Sequence, residues 1–230
     1  MEKILFSEND KGLFFSIPLF RDLPVNLKTT LLERLDYQVF HIHKKEVVAR
    51  QNTPCKQLFV LVRGKLRADI IDVLGNEIMI EYIVAPRTFA TPHLFSADST
   101  LPATFTALED SILLTATKES LFRLLSGEPG VLKNFLSVTG NCNQCTVTRL
   151  RVLSHKNVRS RFIAYLLANK GSDPLKIHLV HNQAQLAEYL YVTRPALSRE
   201  INKMVKEGLI RVEGKEMSLL DVAQLNRYIL

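Results

Sequence analysis

Along Gln183–Gly208, QAQLAEYLYVTRPALSREINKMVKEG, side chains that could grip a polyanion recur at helical spacing. Arg194, Ser198, Arg199, Asn202, Lys203 and Lys206 fall on one side of a helix, and Leu197, Ile201, Met204, Val205 and Leu209 on the other. Guanidinium and ammonium groups pair with phosphates, while Arg, Asn and Ser also match the hydrogen-bonding edges of bases in a major groove. Thr193 stands at the N-cap of this helix, and a shorter helix, Gln183–Leu190, precedes it across Tyr191-Val192. Two short helices, a tight connection and a basic second helix make a helix-turn-helix, whose second helix enters the major groove. An ordinary αα-corner with a solvated basic face fits the same periodicity, and the pattern alone leaves both open.

The other candidates are thiols and imidazoles. Cys142 and Cys145 stand on one face of a helical stretch, and a parallel dimer could bring four such thiols together for zinc or an iron–sulfur cluster. Reduced cysteines packed in a helix seam are the simpler reading. His41 and His43 alternate with Phe40 and Ile42 along a strand and read as solvent-facing. His93 stands alone among apolar residues, where an imidazole is more often structural than a ligand. No nucleophile–base pair, Gly-rich phosphate loop or His-Glu-x-x-His pattern occurs, so no enzyme activity is expected.

The elements that must position these groups follow from composition and period. A chain of 230 residues has room for two modest domains with real cores. Apolar residues make up 47% and charged residues 23%, which excludes a disordered chain. No apolar run approaches the roughly 20 residues of a membrane span, and MEKILFSENDKG lacks the charged-then-apolar plan of a secretion signal. Three cysteines (Cys55, Cys142 and Cys145) without such a signal predict a reducing, cytoplasmic setting. The net charge of +7 is uneven: from His155 onward 12 Lys and Arg stand against seven Asp and Glu, leaving +5 there and +2 in the rest. Charge concentrated beside the basic helix is what phosphate contacts require.

Gly12–Leu35 reads as short helices, with Leu27, Leu31, Leu32 and Leu35 on one face. The period then changes. Val39–Ile42, Glu46–Arg50, Leu58–Arg63, Lys65–Asp72, Ile78–Val84 and Ile112–Thr117 are short strand-like runs, separated by turn residues such as Asn52-Thr53-Pro54, Gly64 and Gly75-Asn76. Many short strands at close spacing predict a sandwich or jelly-roll-like barrel. Pro129–Lys156 reads as a long helix, broken or softened near Gly140, with two apolar stripes. One is Leu132, Leu136, Val147, Leu150 and Leu153; the other is Val138, Cys142, Cys145 and Val152, so one helix could face its own domain and a partner. Asn157–Ala168 is a further helix, capped at Asn157. Beyond the turn cluster Gly171-Ser172-Asp173-Pro174 come a short strand, KIHLV, the two helices above, a hairpin over Leu209–Leu220 and a terminal helix over Asp221–Leu230.

These residues resemble the Crp/Fnr family of bacterial transcription regulators over nearly the whole chain. The run QLFVLVRGKLRADIIDVLGNEIMIEYI is similar to the middle of the family's cyclic-nucleotide-binding-type β-roll, and IPLFRDLP to its lead-in. Arg194 falls where the cAMP-receptor branch carries a guanine-reading arginine, and Ser198-Arg199 on the Ser-Arg pair of the Fnr branch. Pro195 departs from both, since a base-contacting Glu is usual there. The phosphate cassette departs further. Ala90-Thr91-Pro92-His93-Leu94 replaces its Gly-Glu-Leu neighbourhood, Pro102-Ala103 replaces its Arg-Ser, and no arginine lies between Thr88 and Phe122. A cyclic phosphate would lack a cation, at a cost of several kcal/mol for a buried anion, which argues against cAMP.

The resemblance implies an α+β chain with an N-terminal jelly-roll-like β-roll, a long dimerisation helix and a C-terminal winged helix-turn-helix. The expected divisions are an effector-sensing roll over 1–128, the dimerisation helix over 129–156 and the DNA-binding domain over 157–230. Expected partners are double-stranded DNA, a second copy of the chain and RNA polymerase, with no membrane. Thr193, Arg194, Ser198, Arg199, Asn202, Lys203 and Lys206 are the expected DNA contacts. Thr91, His93, Thr146 and Val147 are the expected effector pocket. Haem-sensing relatives leave axial ligation by His93 open; iron–sulfur sensors of the Fnr branch use an N-terminal cysteine cluster, which is missing here. The rival reading is a small-molecule, haem or redox sensor whose C-terminal domain binds protein instead of DNA.

Overall fold

The computed structural model describes residues 1–171 and 173–229. Expectations placed on Ser172 in the turn cluster, on Leu230 and on the Cys145 side chain fall outside the described residues. The chain forms two compact units, Met1–Asn143 and Gln144–Leu230.

The first unit begins with β1 (Glu2–Lys3), α1 (Glu8–Ser16) and α2 (Val25–Arg34). Nine short elements follow: β2 (Tyr37–Ile42), β3 (Val47–Ala49), β4 (Gln57–Arg63), β5 (Lys65–Ile71), β6 (Glu77–Val84), β7 (Arg87–Phe89), α3 (Thr91–Leu94), β8 (Thr104–Ala107) and β9 (Ser111–Thr117). All strand pairs are antiparallel, in two sheets of order β1-β2-β9-β4-β7 and β3-β8-β5-β6. Strand β4 lies inside the first sheet and buries five consecutive side chains, Leu58–Val62, whereas β2 buries only Val39 and Ile42. An aromatic run crosses between the sheets: Phe59 stacks on Phe89 at 5.1 Å, and Phe89 meets Phe105 of β8 at 4.8 Å. Such pairs add about 0.5–1.5 kcal/mol each beyond area burial. Strands β1, β7 and β8 have no counterpart in the sequence reading, because two to four residues carry too little period to register.

Two turns show why glycine is where it is. At the β5–β6 turn Gly75 takes φ +84° and the Asp72 carboxylate accepts from the Leu74 and Asn76 N–H groups at 2.8 and 2.9 Å. Gly64, between β4 and β5, takes φ +94°, and a Cβ there would lie 2.1 Å from Ser111 Oγ and 2.9 Å from Ser111 Cα.

After α4 (Lys118–Gly127), α5 runs unbroken over Pro129–Ser154. The expected break at Gly140 is absent: a helical glycine costs about 1 kcal/mol, which a long helix absorbs. Val131 and Phe135 are buried in the core of the roll, while Leu132 and Leu136 are exposed. Among the described residues no helix is long and apolar enough to cross a membrane.

The second unit adds α6 (Val158–Ala168), β10 (Lys176–His178), α7 (Gln183–Tyr189), α8 (Arg194–Lys206), β11 (Ile210–Glu213), β12 (Glu216–Leu219) and α9 (Val222–Arg227). Its three strands form one antiparallel sheet of order β10-β12-β11.

Gly75→Ala should cost about 1 kcal/mol, the penalty of a positive φ alone. Gly64→Ala should cost about 3 kcal/mol or more, since it adds a clash with buried Ser111 backbone. Urea unfolding of both variants separates the terms; equal losses would mean that the β4–β5 junction relaxes freely.

Candidate nucleic-acid interface

Helix α6 is the frame for the basic helix. The Asn157 side chain caps it, accepting from the Ser160 N–H at 2.8 Å, and Phe162, Ile163 and Leu166 are buried. Its first turn also carries Arg159 and Arg161, cations at the end of a helix where the macrodipole disfavours them. Both are held elsewhere. Arg161 Nη1 donates to the carbonyls of Leu190 and Tyr191 at 3.1 and 3.3 Å, and its Nε to the His155 carbonyl at 2.8 Å. These bonds hold the connection between α7 and α8 where Tyr191 takes φ +54°, a conformation that costs a non-glycine residue about 1–2 kcal/mol.

Arg159 reaches α8 itself. Its Nε donates to Glu200, Nη1 and Nη2 to the two Glu207 oxygens at 2.7 and 2.9 Å, and Nη1 also to Tyr228 Oη at 3.0 Å. Its guanidinium also stacks over the Tyr228 ring at 4.9 Å. The hydrogen bonds from Arg159 hold the Glu207 carboxyl below its ordinary range, and those carboxylates raise the guanidinium in return.

Helix α7 opens with a capping box: the Asn182 side chain accepts from the Gln185 N–H at 2.9 Å, and the Gln185 side chain from the Asn182 N–H at 3.1 Å. Leu186 and Ala187 are buried beneath it. Thr193 caps α8, accepting from the Ala196 N–H at 3.4 Å, and Pro195 occupies the first turn, where no intrahelical acceptor is lost. Leu197, Ile201 and Met204 seat the helix in the core, and Leu209 closes it from beyond the helix end. Val205, expected in that core, is exposed. It falls between Ile201 and half-buried Ser198 around the helix, at the margin of the apolar arc.

The expected contact residues come together on one surface. Arg194, Arg199, Asn202, Lys203 and Lys206 are exposed and Ser198 is half-buried, while Thr193 lies exposed at the cap. Arg199 Nε donates to the Pro195 carbonyl at 3.3 Å, which lays its side chain back along the helix. No acid interrupts this face, because Glu200 and Glu207 are turned to Arg159. Behind α8, β11 and β12 form the hairpin turning at Gly214, φ +64°, with Arg211 and Lys215 exposed. The arrangement offers guanidinium, ammonium and amide donors on a rigid helix, the requirement for phosphate and base-edge contacts.

In the first unit, Thr91 and His93 share the single turn of α3, Thr91 buried and His93 half-buried. Phe59, Phe89, Phe105 and Leu94 fill the adjoining core, so a haem on His93 would have to lie outside it. Thr146 and Val147 are exposed on α5 in the second unit. Cys55 is buried, which pushes its thiol pKa up, and Cys142 is half-buried. The sequence reading overlooked Arg159 and Arg161; two arginines in the first turn of an apolar helix were the available signal.

Residues 39–128 match the model of the cyclic nucleotide-binding domain, and residues 160–228 that of the Crp-like helix-turn-helix domain. The electron transport regulator A of Shewanella oneidensis is 25% identical over 215 residues, covering 89% of this chain and 84% of that protein. The fumarate and nitrate reduction regulatory protein of Vibrio cholerae is 21% identical over 212 residues, covering 88% and 84%. A solved CooA mutant from Carboxydothermus hydrogenoformans has the same fold, with a TM-score of 0.67 at 20% identity over 94% of this chain and 100% of that one.

Arg159→Met should destabilise the C-terminal unit by about 2 kcal/mol, the loss of hydrogen bonds to charged groups. Arg159→Lys should recover little, since one ammonium cannot serve both carboxylates and Tyr228. A carboxyl held low in the folded state stabilises above its unfolded pKa and loses that contribution as pH falls through the folded value. Acid unfolding below the ordinary Glu value of 4.5 should therefore be less steep in Arg159→Met than in the parent chain. Parallel acid curves would remove Arg159 from this role.

Proposed function

Because this chain belongs to the Crp/Fnr family of DNA-binding transcription regulators, we propose that α8 reads a near-palindromic operator as one half of a homodimer. The observation that carries the reading is the outward face of α8. Four cations and two neutral donors stand there with no acid among them, and the two nearby glutamates are neutralised from behind. In this reading Arg194 and Arg199 reach base edges at the N-terminal half of the helix, with Ser198 and Asn202 beside them. Lys203 and Lys206, further along, reach phosphates. A face built only to bind protein has no need of so one-sided a charge, so the rival reading is not favoured.

Helix α5 supplies the dimer seam in this proposal. It leaves Leu132, Leu136, Val147 and Leu150 exposed along its length, apolar side chains that a second copy would cover. A two-fold dimer then sets half-sites about one helical turn, roughly 34 Å, apart. The effector is a compound other than a conventionally bound cyclic nucleotide, and Thr91 and His93 are its proposed contacts in the roll. The support is chemical: Pro102 stands where the resemblance puts the cassette's arginine, and no arginine occurs between Thr88 and Phe122. The cytoplasm, where operators lie, is the proposed location.

On duplexes selected by the parent protein from a random pool, Arg199→Ala should lose about 1–3 kcal/mol on cognate DNA and far less on unrelated DNA. Lys206→Ala should weaken all sequences alike and reduce the salt slope by about one unit. A uniform loss in Arg199→Ala, read by fluorescence anisotropy, would make Arg199 a phosphate clamp and remove its base-reading role.

Titration calorimetry with cAMP and cGMP should give no heat of binding at concentrations that saturate cassette-bearing relatives. Saturable binding by the roll would overturn the argument from the missing cation.

A further inference from the structure

At the outer edge of the first sheet, three side chains able to hold a metal converge. Strand β1 is the edge strand, and its register sets Glu2 directly opposite His41 of β2. His43 lies two residues further along the chain, so its side chain returns to the face that His41 occupies. The two imidazole centroids are 4.7 Å apart with the rings at 75°. One ligand atom from each of Glu2, His41 and His43 lies within 4.8 Å of the others. Among the described residues this is the one such group.

We propose that Glu2, His41 and His43 form a binding site for a divalent first-row transition metal of the zinc class. Two imidazole nitrogens and one carboxylate oxygen are borderline donors that suit Zn²⁺ and its neighbours better than Mg²⁺ or Ca²⁺. Zinc takes such atoms at about 2.0–2.2 Å, in a tetrahedron whose fourth corner water can fill. Reaching that geometry needs the three ligand atoms to draw together from their present separations of up to 4.8 Å. Glu2 and His43 are exposed and meet little resistance, while half-buried His41 is held by the strand. Glu46 acts as a positioning residue: its Oε2 accepts from the His43 backbone N–H at 3.0 Å, fixing the chain at the point where β2 ends.

The site also gives the metal something to do. Strand β1 is two residues long and pairs on one side only, so it is among the first parts of a sheet to open. Glu2 comes from β1, His41 from β2 and His43 from just beyond it, so a bound ion would clip β1 onto β2.

The test is titration of the purified full chain, first with Zn²⁺ and then with Co²⁺ as an absorbing substitute. One equivalent per chain should bind, raise the melting temperature, and slow hydrogen exchange at the β1–β2 pairing. His43→Ala removes an exposed ligand without disturbing the core and should weaken binding about tenfold or more, with Glu2→Gln losing less. The Co²⁺ spectrum should lack sulfur-to-metal charge-transfer bands, which separates this site from Cys142 and Cys145. No binding, undiminished binding in His43→Ala, or a thiolate spectrum from the bound ion would each overturn the proposal.

Discussion

What α8 can present to a polyanion depends on one guanidinium behind it. Helix α8 and its cap carry two carboxylates, Glu200 and Glu207, close to the residues offered to solvent. Left unpaired, each would cancel a neighbouring cation at the distances where Coulomb attraction to phosphate operates. Arg159 gathers both to the rear of the helix and ties in Tyr228, the C-cap of α9, at the same time. A lysine would hold one carboxylate as a point charge, whereas the guanidinium fork holds both in fixed directions. Stability and surface charge are thus set by the same bonds. Arg161, two residues on, does the equivalent for the backbone by holding the carbonyls of the strained turn at Tyr191.

The core of the roll is apolar where the face of α8 is charged. Ala103 is buried next to Phe105 on β8, and Phe89 and Phe59 continue that packing into the facing sheet. A core of this kind stabilises by apolar burial and offers no counter-ion to an anionic ligand. An effector that entered it would have to be apolar or displace side chains from close packing. His93 and Thr91 lie on the short helix α3, with Leu94 of the same helix buried in that core.

Legibility in the sequence followed the strength of each period. The helix pair was readable because Leu197, Ile201 and Met204 repeat at helical spacing and Thr193 and Asn157 are strong caps. Strands β2, β4, β5, β6 and β9 were readable from their Val, Ile and Leu runs. β1, β7 and β8 were not, being too short for any period, and with β1 went the pairing of Glu2 with His41. That is why two histidines read as mere solvent-facing strand residues lie beside a third ligand, with His41 half-buried. Gly140 is no break because a local penalty of about 1 kcal/mol is small beside the packing of Val131, Phe135 and Val152 on either side of it. Val205 misled because the edge of an apolar arc is decided by neighbours and not by spacing.

Pro195 connects the two levels of the interface. At the first turn of α8 it fits the backbone that a helix start demands and leaves no orphan donor. It also supplies no carboxylate at the N-terminal tip, the part of a recognition helix nearest the base edges. Glutamate there would take a hydrogen bond from the exocyclic amino group of cytosine or adenine, and proline takes none. The groups that remain at the tip are the guanidinium donors of Arg194 and Arg199 and the hydroxyl of Ser198. Donors seek acceptors, and guanine O6 and N7 are the pair that a guanidinium matches best. Under the operator reading proposed above, the tip would therefore favour guanine, and proline also leaves unbroken the cationic face that Arg159 keeps free of acid.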